Sequence, residues 1–210
     1  MKKNKISKNW IIKQHKDPYF KKSKIEGYRS RSAYKLLEIE KKFNFFKKNM
    51  NLIDLGSCPG GWSQVSRKKI IKGKILAIDI KKMEEINNVN FLRCDFRNEE
   101  IYNKILITFL KKKVDAVIAD MAPNISGNKN LDSIQTGELC SDAMDLAFRV
   151  LNKDGVFISK LFMGVGYNEI SSKAKKDFQK VVIFKPKSSR KESREVYIYC
   201  KGLKININNL

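Results

Sequence analysis

A glycine-rich loop between an apolar segment and a helical pattern is the first part of the sequence that is equipped for chemistry. The loop is Asp54-Leu55-Gly56-Ser57-Cys58-Pro59-Gly60-Gly61-Trp62. Glycines let the backbone approach a ligand closely, and the helix after the loop presents free N–H groups. The spacing is not the G-x-G-x-x-G of dinucleotide sites, and the lysine of a P-loop is missing. The loop is therefore predicted to cradle another cofactor, against the alternative of a tight turn without a ligand.

Two aspartates lie where the next two candidate strands end. Asp79 closes Ala77-Ile78-Asp79, and Asp95 lies in Arg93-Cys94-Asp95-Phe96. An acid at the carboxyl end of the strand after a glycine loop can accept hydrogen bonds from ribose hydroxyls, and the next strand's acid can reach an adenine amino group. Either aspartate alone is equally compatible with a helix cap or a surface charge. Together with the loop they predict a site for an adenosyl group.

A lysine interrupts the apolar strand pattern Phe157-Ile158-Ser159-Lys160-Leu161-Phe162. A lysine in such surroundings usually needs a partner. Asp120 ends the preceding strand and Glu195 begins the last one, so both should meet Lys160 at the edge where open α/β sheets bind ligands. Lys35 joins them if its helix crosses that edge. The alternative is a buried ion pair of Lys160 with Asp120 or Glu195 that only holds the sheet edge together.

These residues are positioned by short apolar runs that alternate with helical patterns from residue 51 onward, as in a parallel sheet flanked by helices. The predicted strands are Asn51–Gly56, Lys74–Ile80, Val89–Phe96, Val114–Asp120, Gly155–Phe162, Lys180–Pro186 and Glu195–Cys200. Helices are predicted at 61–71, 98–112, 135–152 and 166–178, and from Ser30 or Ser32 to about Phe43. Only residues 187–194 separate the last two strands, which favours an antiparallel hairpin.

The length of 210 residues fits one α/β domain. We expect a basic amino-terminal arm at 1–27, a core at 28–202 and a tail at 203–210. The first 25 or so residues and the tail have the composition of weakly ordered termini.

The charge of the chain indicates a polyanionic partner. Lysine and arginine number 44 against 22 acidic residues, a formal net charge of +22. Coding bias toward lysine is an alternative for part of this excess, but it does not explain two arginine clusters, at 28–32 and 189–194. We expect Arg29, Arg31, Arg190 and Arg194 to bind the anionic groups of this partner, with an affinity that falls steeply with salt.

The four cysteines are scattered, with no Cys-x-x-Cys pair, and the chain has a single histidine. Disulfides and a structural metal are therefore not expected. No apolar run has the length of a signal peptide or of the roughly 20 residues of a membrane span. We expect a soluble cytoplasmic protein, with no membrane or metal partner.

Five motifs together resemble the FtsJ/RrmJ family of ribose methyltransferases, over a stretch from about Trp10 to Cys200. The motifs are Arg29-Ser30-Arg31-Ser32-Ala33-Tyr34-Lys35-Leu36, Asp54-Leu55-Gly56 followed by Pro59-Gly60-Gly61-Trp62-Ser63-Gln64, Asp120-Met121-Ala122-Pro123-Asn124, Lys160, and Ser193-Arg194-Glu195-Val196-Tyr197. The resemblance implies a Rossmann-like class I methyltransferase fold with a seven-stranded, mostly parallel sheet, an antiparallel carboxyl-terminal hairpin strand and helices on both faces. It also implies S-adenosyl-L-methionine as the cofactor.

The resemblance carries site residues with it. It implies a catalytic tetrad of Lys35, Asp120, Lys160 and Glu195. It further implies cofactor contacts at Gly60, Trp62, Asp79, Asp95 and Asp120. Ser57-Cys58 departs mildly from the family, where small residues such as alanine are common at these positions, but it does not touch the tetrad.

Within the family the chain is most similar to members that methylate a uridine ribose in large-subunit (23S) ribosomal RNA. The implied partner is ribosomal RNA in an assembled or nearly assembled 50S subunit, and we expect a monomer. Alternatives are a transfer-RNA ribose methyltransferase and an RNA-binding ribosome-assembly factor. Lys160 either takes the proton of the 2′-hydroxyl as a neutral amine or stays charged and steers that hydroxyl. The sequence leaves both roles open.

Overall fold

The computed structural model describes residues 16–109, 112–123 and 126–204. Four parts of the sequence predictions therefore lie outside the described residues. They are residues 1–15 of the arm, 110–111 of the predicted helix 98–112, Asn124 of the third motif and 205–210 of the tail.

Seven strands and six helices make up the described part of the chain. The strands are β1 (Leu52–Leu55), β2 (Ile75–Asp79), β3 (Asn90–Arg93), β4 (Val114–Ala119), β5 (Leu151–Phe162), β6 (Phe178–Phe184) and β7 (Glu195–Leu203). The helices are α1 (Pro18–Ile25), α2 (Ala33–Phe43), α3 (Gly61–Lys69), α4 (Glu100–Thr108), α5 (Lys129–Val150) and α6 (Tyr167–Asp177).

The strands form a single sheet with the order β3-β2-β1-β4-β5-β7-β6. The first five strands run parallel to one another, and β7 is antiparallel to both of its neighbours, β5 and β6. The predicted seven-stranded, mostly parallel sheet with a carboxyl-terminal hairpin is confirmed. Because β7 runs against β5, its first residue, Glu195, lies at the same edge as the ends of β1, β2, β4 and β5, opposite Phe162.

Helices cover both faces of the sheet because the inner strands are apolar on both sides. All four residues of β1 are buried, as are five of the six residues of β4. One core contains side chains of α2 and α3, such as Leu36, Ile39 and Val65. The other core contains side chains of α4, α5 and α6, including Ile105 and Met144. The sheet therefore separates two cores and leaves its carboxyl edge open for a site.

The structure differs from the predicted elements at two helices. α1 was not predicted, since the first 25 residues were expected to be weakly ordered. Asp17 caps this helix by accepting from the amides of Tyr19 and Phe20. α5 begins at Lys129 rather than 135, because the Asn128 side chain caps its first turn.

Candidate active site

A cavity of about 240 Å³ opens at the carboxyl edge of the sheet, beyond β1, β2, β3 and β4. Its lining comes from the strand ends and the loops that follow them. Gly56, Asp79, Asp95 and Asp120 all line this cavity. Four residues that were predicted to contribute to binding thus share one opening, as the parallel strands require.

The glycine loop is built for close approach. Gly56 has a φ of +68°, and a Cβ placed on it would overlap Cγ of Met121, so a larger residue does not fit between β1 and the segment after β4. Asp79 fixes the other side of the loop, since its Oδ2 accepts from the Cys58 amide at 2.8 Å and its Oδ1 from the Lys81 amide at 2.7 Å. A carboxylate oxygen has two lone pairs, so Asp79 can still accept from a ligand hydroxyl.

Asp95 is held by its neighbour Arg97. The guanidinium donates from Nε to Oδ1 at 3.0 Å and from Nη2 to Oδ2 at 2.6 Å. These hydrogen bonds and the positive charge keep the pKa of Asp95 below its usual value, against the opposing effect of burial. Asp95 is therefore an ionised acceptor at the rim of the cavity.

Gly60 and Trp62, near the end of the glycine loop, are not among the residues that line the cavity. Gly60 has a φ of +112°, and a Cβ there would come within 2.8 Å of Ile86 Cδ1. The Trp62 indole N–H donates to the Ser32 carbonyl at 2.9 Å, and its ring lies 5.6 Å from that of Tyr197. In the structure Gly60 packs near Ile86, whereas Trp62 joins the loop to the residue before α2.

The four tetrad residues meet at this edge as two ion pairs. Lys160 Nζ lies 3.2 Å from Asp120 Oδ1 and donates to the Asp120 carbonyl at 2.9 Å. Lys35 Nζ lies 2.8 Å from Glu195 Oε1 and 2.9 Å from Oε2. The side chains of Lys160 and Asp120 are only 8% and 14% exposed, so these charges are well shielded from water. As predicted, a residue of a helix, Lys35, lies close to residues at the ends of three strands.

Tyr197 connects the two pairs and was not assigned a role from the sequence. It is fully buried, its hydroxyl donates to Asp120 Oδ1 at 2.6 Å, and its ring lies 5.8 Å from Lys35 Nζ. Burial and then the charges of Asp120 and Glu195 raise its pKa well above the usual value, so it stays protonated as a donor. The available signal was the alternation of β7, which places Glu195 and Tyr197 on one face.

The charges around Asp120 decide its protonation state. Burial alone raises the pKa of Asp120, but the ammonium groups of Lys160 and Lys35 and the hydroxyl of Tyr197 outweigh it. The pKa is therefore below the usual value. Asp120 is therefore a carboxylate that lines the cavity and also contacts Lys160 of the tetrad.

A second buried acid, Asp54, lies at the end of β1 and does not line the cavity. Its Oδ2 accepts from the Ser63 hydroxyl at 2.6 Å, and its Oδ1 has no hydrogen-bond partner among the described residues. Burial raises its pKa to about 7, with smaller upward contributions from Asp120 and Asp79 and an opposing one from the Ser63 hydrogen bond.

All four arginines that were expected to bind the polyanionic partner have acceptors within the protein, and three of them donate to backbone carbonyls. Arg29 donates to the carbonyls of Glu84 and Glu85 at 2.6 and 2.7 Å. Arg194 donates to the Lys129 carbonyl. These contacts hold loops at the carboxyl edge.

The other two arginines share the carboxylate of Asp17, the cap of α1. Arg31 pairs with Asp17 and donates to the Ser188 carbonyl. Arg190 Nε lies 3.7 Å from Asp17 Oδ2, and its side chain is 43% exposed. Both line a second opening of about 360 Å³ next to Lys35 and Glu195. Arg190 is thus the most available of the four for an outside ligand.

Metal sites and membrane-spanning helices are both missing from the described ranges. No group of three or more histidine, cysteine, aspartate or glutamate side chains comes together there as a metal site. No helix within the same ranges is long and apolar enough to cross a bilayer.

Comparisons with known proteins agree with the fold and with the motifs. The chain is 50% identical over 204 residues to ribosomal RNA large subunit methyltransferase E of Pelagibacter ubique. This match covers 97% of this chain and 100% of that protein. It is 46% identical to the protein of the same name from Rickettsia bellii, over 91% of this chain and 87% of that protein.

A crystal structure from Plasmodium falciparum, assigned as a ribosomal RNA methyltransferase, matches with a TM-score of 0.77 and 34% identity. The match covers 84% of this chain and 98% of that chain. The family model described as FtsJ-like methyltransferase matches residues 28–203, a range that holds the whole tetrad and the glycine loop. The chain therefore belongs to the FtsJ-like methyltransferase family.

Proposed function

We propose that this protein uses S-adenosylmethionine to methylate a ribose 2′-hydroxyl, that of a uridine in large-subunit (23S) ribosomal RNA. The observation that carries the proposal is the tetrad of two lysines and two acids beside a cavity with acids at its strand ends. The relatives named ribosomal RNA large subunit methyltransferase E support the choice of RNA. A net charge of +22 suits a polyanionic substrate of that size.

The residues of the cavity fit an adenosyl cofactor. Asp79 and Asp95 offer carboxylate acceptors at neighbouring strand ends, and Gly56 keeps the loop free of side-chain bulk. Asp120 would hold the end of the cofactor that faces the tetrad. When it is bound, S-adenosylmethionine supplies an electrophilic methyl group. Gly60 and Trp62 would act behind this surface, by fixing the loop.

The tetrad would orient the ribose for attack. Within the described residues, the two contacts with Asp120 use two of the three donors of the Lys160 ammonium and leave one for the 2′-oxygen. The sequence is compatible with a neutral Lys160 that takes the proton and with a charged Lys160 that steers the hydroxyl. The contacts of Lys160 with two oxygens of Asp120 support the charged role. Lys160 would then steer the lone pair of the hydroxyl and stabilise developing negative charge as its proton passes to solvent. Lys35 and Glu195 would orient the ribose.

The substrate is tested by offering radiolabelled S-adenosylmethionine with large ribosomal subunits, naked ribosomal RNA and transfer RNA in parallel. We expect label on ribosomal RNA in the 50S subunit, and nuclease digestion should give a 2′-O-methylated uridine. Label on transfer RNA alone would mean that transfer RNA, and not ribosomal RNA, is the substrate. Failure to label any of the three, with RNA still bound, would favour an assembly factor. If the substrate is the ribosomal subunit, the protein acts in the cytoplasm. We also propose that it is a monomer, which sedimentation should show.

The tetrad is tested at Lys160. Lys160→Ala should reduce methyl transfer by at least ~10²-fold, because it removes a charged donor at the reacting oxygen. Calorimetry should show that cofactor binding persists. Lys160→Arg keeps the charge and cannot act as a base at neutral pH, so measurable turnover in this variant supports the charged role. Turnover by Lys160→Ala close to that of the unchanged protein would contradict the assignment.

A further inference from the structure

Four large apolar side chains are exposed at the carboxyl edge of the sheet, on the face covered by α5 and α6. They are Leu131, Ile134, Met163 and Val165, each between 40% and 63% exposed. Leu131 and Ile134 are three residues apart and share one face of α5, and the other two lie in the segment that follows β5. We call these four residues the apolar ledge. Contiguous exposed apolar groups on a folded domain commonly mark a binding surface.

The two halves of the ledge are fixed against each other. The Ser133 hydroxyl, between the two ledge residues of α5, donates to the Phe162 carbonyl at 3.2 Å. A Cβ on Gly164 would come within 2.6 Å of Ser133 Oγ, and one on Gly166 within 3.0 Å of the Ser133 carbonyl oxygen. Two glycines therefore let the segment after β5 lie directly on the first turns of α5. The ledge residues therefore lie on two elements that pack directly against each other.

The ledge adjoins the tetrad. The Met163 amide donates to the Arg194 carbonyl at 3.0 Å, and Arg194 is the residue before Glu195. Met163 also follows Lys160 by three residues, which is ~10 Å along an extended strand. A ligand whose ribose contacts Lys160 would thus bring its nearest base within reach of the ledge.

Positive charge borders the ledge. Arg194 donates to the carbonyl of Lys129, the first residue of α5, and its Nη1 lies 3.4 Å from the Cβ position of Gly164. An apolar surface with a basic border suits a ligand that has flat, weakly polar faces and an anionic backbone. Single-stranded RNA has both properties, since its bases stack on apolar side chains while its phosphates meet basic groups.

We infer that the apolar ledge binds an unstacked RNA base within one nucleotide of the methylated ribose. This inference rests on the proposed function, in which the ribose lies against Lys160. Proteins commonly recognise single-stranded RNA with its bases splayed out of the stack, and an exposed base then needs an apolar partner in place of its neighbours. The ledge provides that partner on the α5 side of the crevice, opposite α2, which carries Lys35.

The test compares two oligomers of equal length and charge. One is fluorescein-labelled oligouridylate, and the other is the same ribose-phosphate chain without bases. At constant salt, anisotropy should show that the unchanged protein prefers the oligomer with bases. The double variant Leu131→Gln, Ile134→Gln should lose at least about fivefold of this preference, as expected for one lost base contact. Its KM for ribosomal RNA should rise while its cofactor Kd in calorimetry stays the same.

The matched control is Ile107→Gln, which changes an equally apolar side chain that is 74% exposed on α4. This position is near the opposite edge of the sheet, where Lys74 donates to the Thr108 carbonyl at 3.1 Å. The control should keep the preference for bases. Val165→Thr, which is nearly isosteric, serves as a second ledge variant if the double variant is unstable, and should reduce the preference in the same direction.

Three results would overturn the inference. They are equal binding of both oligomers by the unchanged protein, an unaltered preference in stable ledge variants, and a change of oligomeric state in those variants with RNA binding intact. The last result would make a second copy of the chain the occupant. Failure of the unchanged protein to methylate ribosomal RNA would overturn the proposed function instead, and the oligomer preference would still decide whether the ledge binds bases.

Discussion

Asp54 gives a prediction whose size follows from the structure. The side chain is 1% exposed, and its pKa is raised by burial from the ordinary 3.8 to about 7. The folded protein therefore binds this proton more tightly than the unfolded chain does. Its contribution to the free energy of unfolding is fully present below about pH 4 and is lost as the pH rises through 7. A shift of about three pKa units corresponds to about 4 kcal/mol.

The perturbation is Asp54→Asn, which keeps the shape and an acceptor for the Ser63 hydroxyl but cannot ionise. The free energy of unfolding of the variant relative to the unchanged protein should rise by roughly 2.5 kcal/mol between pH 5 and pH 8. Most other titrating groups contribute equally to both proteins and cancel in this difference. Urea unfolding at a series of pH values and constant salt measures it.

A companion variant tests the cause of the shift. Ser63→Ala removes the hydrogen bond that lowers the pKa of Asp54, so the pKa should rise further and the fall in stability should move to higher pH. A stability difference between Asp54→Asn and the unchanged protein that is flat from pH 5 to pH 8 would refute the reasoning. It would mean that Asp54 is either hydrated or paired in the folded protein.

Two further predictions concern side chains whose contacts define their roles. Tyr197→Phe removes one of the donors to Asp120 and should slow methyl transfer by about tenfold, in line with the ~1.5 kcal/mol at the low end for a hydrogen bond to a charged group; an unchanged kcat would count against a positioning role. Arg29→Lys keeps the charge but loses the paired contacts with the carbonyls of Glu84 and Glu85, which should cost roughly 2 kcal/mol and lower the Tm by about 4–8 °C. Arg29→Gln, which removes the charge as well, should lower the Tm at least as much. A Tm that stays unchanged in this second variant while the salt slope of RNA binding falls by about one would show instead that Arg29 contacts phosphate.

The sheet was predictable from the sequence because burial on both faces produces uninterrupted apolar runs, as in β1 and β4. The hairpin followed from the short loop before β7. α1 was not predicted, since it is a polar helix in which only Ser23 is buried, and it therefore has no apolar periodicity. Its one local signal is Asp17-Pro18, a cap residue followed by a proline at the first helical position.

The sequence predicted that the site residues lie close together, but it did not predict which of them form ion pairs with each other. Strand ends share an edge, which brings Asp120, Lys160 and Glu195 together whatever their partners are. The pairing depends on register, which the sequence pattern does not contain. Ser159 lies opposite Ala119 on β4, whereas Glu195 lies opposite Phe162, two residues beyond Lys160. Lys160 is therefore next to Asp120, and Glu195 is left for Lys35.

The arginines show what residue type alone does not decide. A guanidinium donates equally well to a phosphate and to a pair of carbonyl oxygens, and only the fold determines which acceptor is near. Arg29, Arg31 and Arg194 have carbonyl acceptors in the structure, so their clustering in the sequence reflects the loops that they fasten. Only eight of the 44 basic residues are arginines. These three arginines keep their positive charge, but their donors are engaged, so direct contacts with RNA phosphates are left mainly to lysines and Arg190. Lysine contacts of this kind are weakly directional. Under the proposed function, selection of the nucleotide then comes from short-range contacts with its ribose at the tetrad and, by our inference, with a base at the apolar ledge.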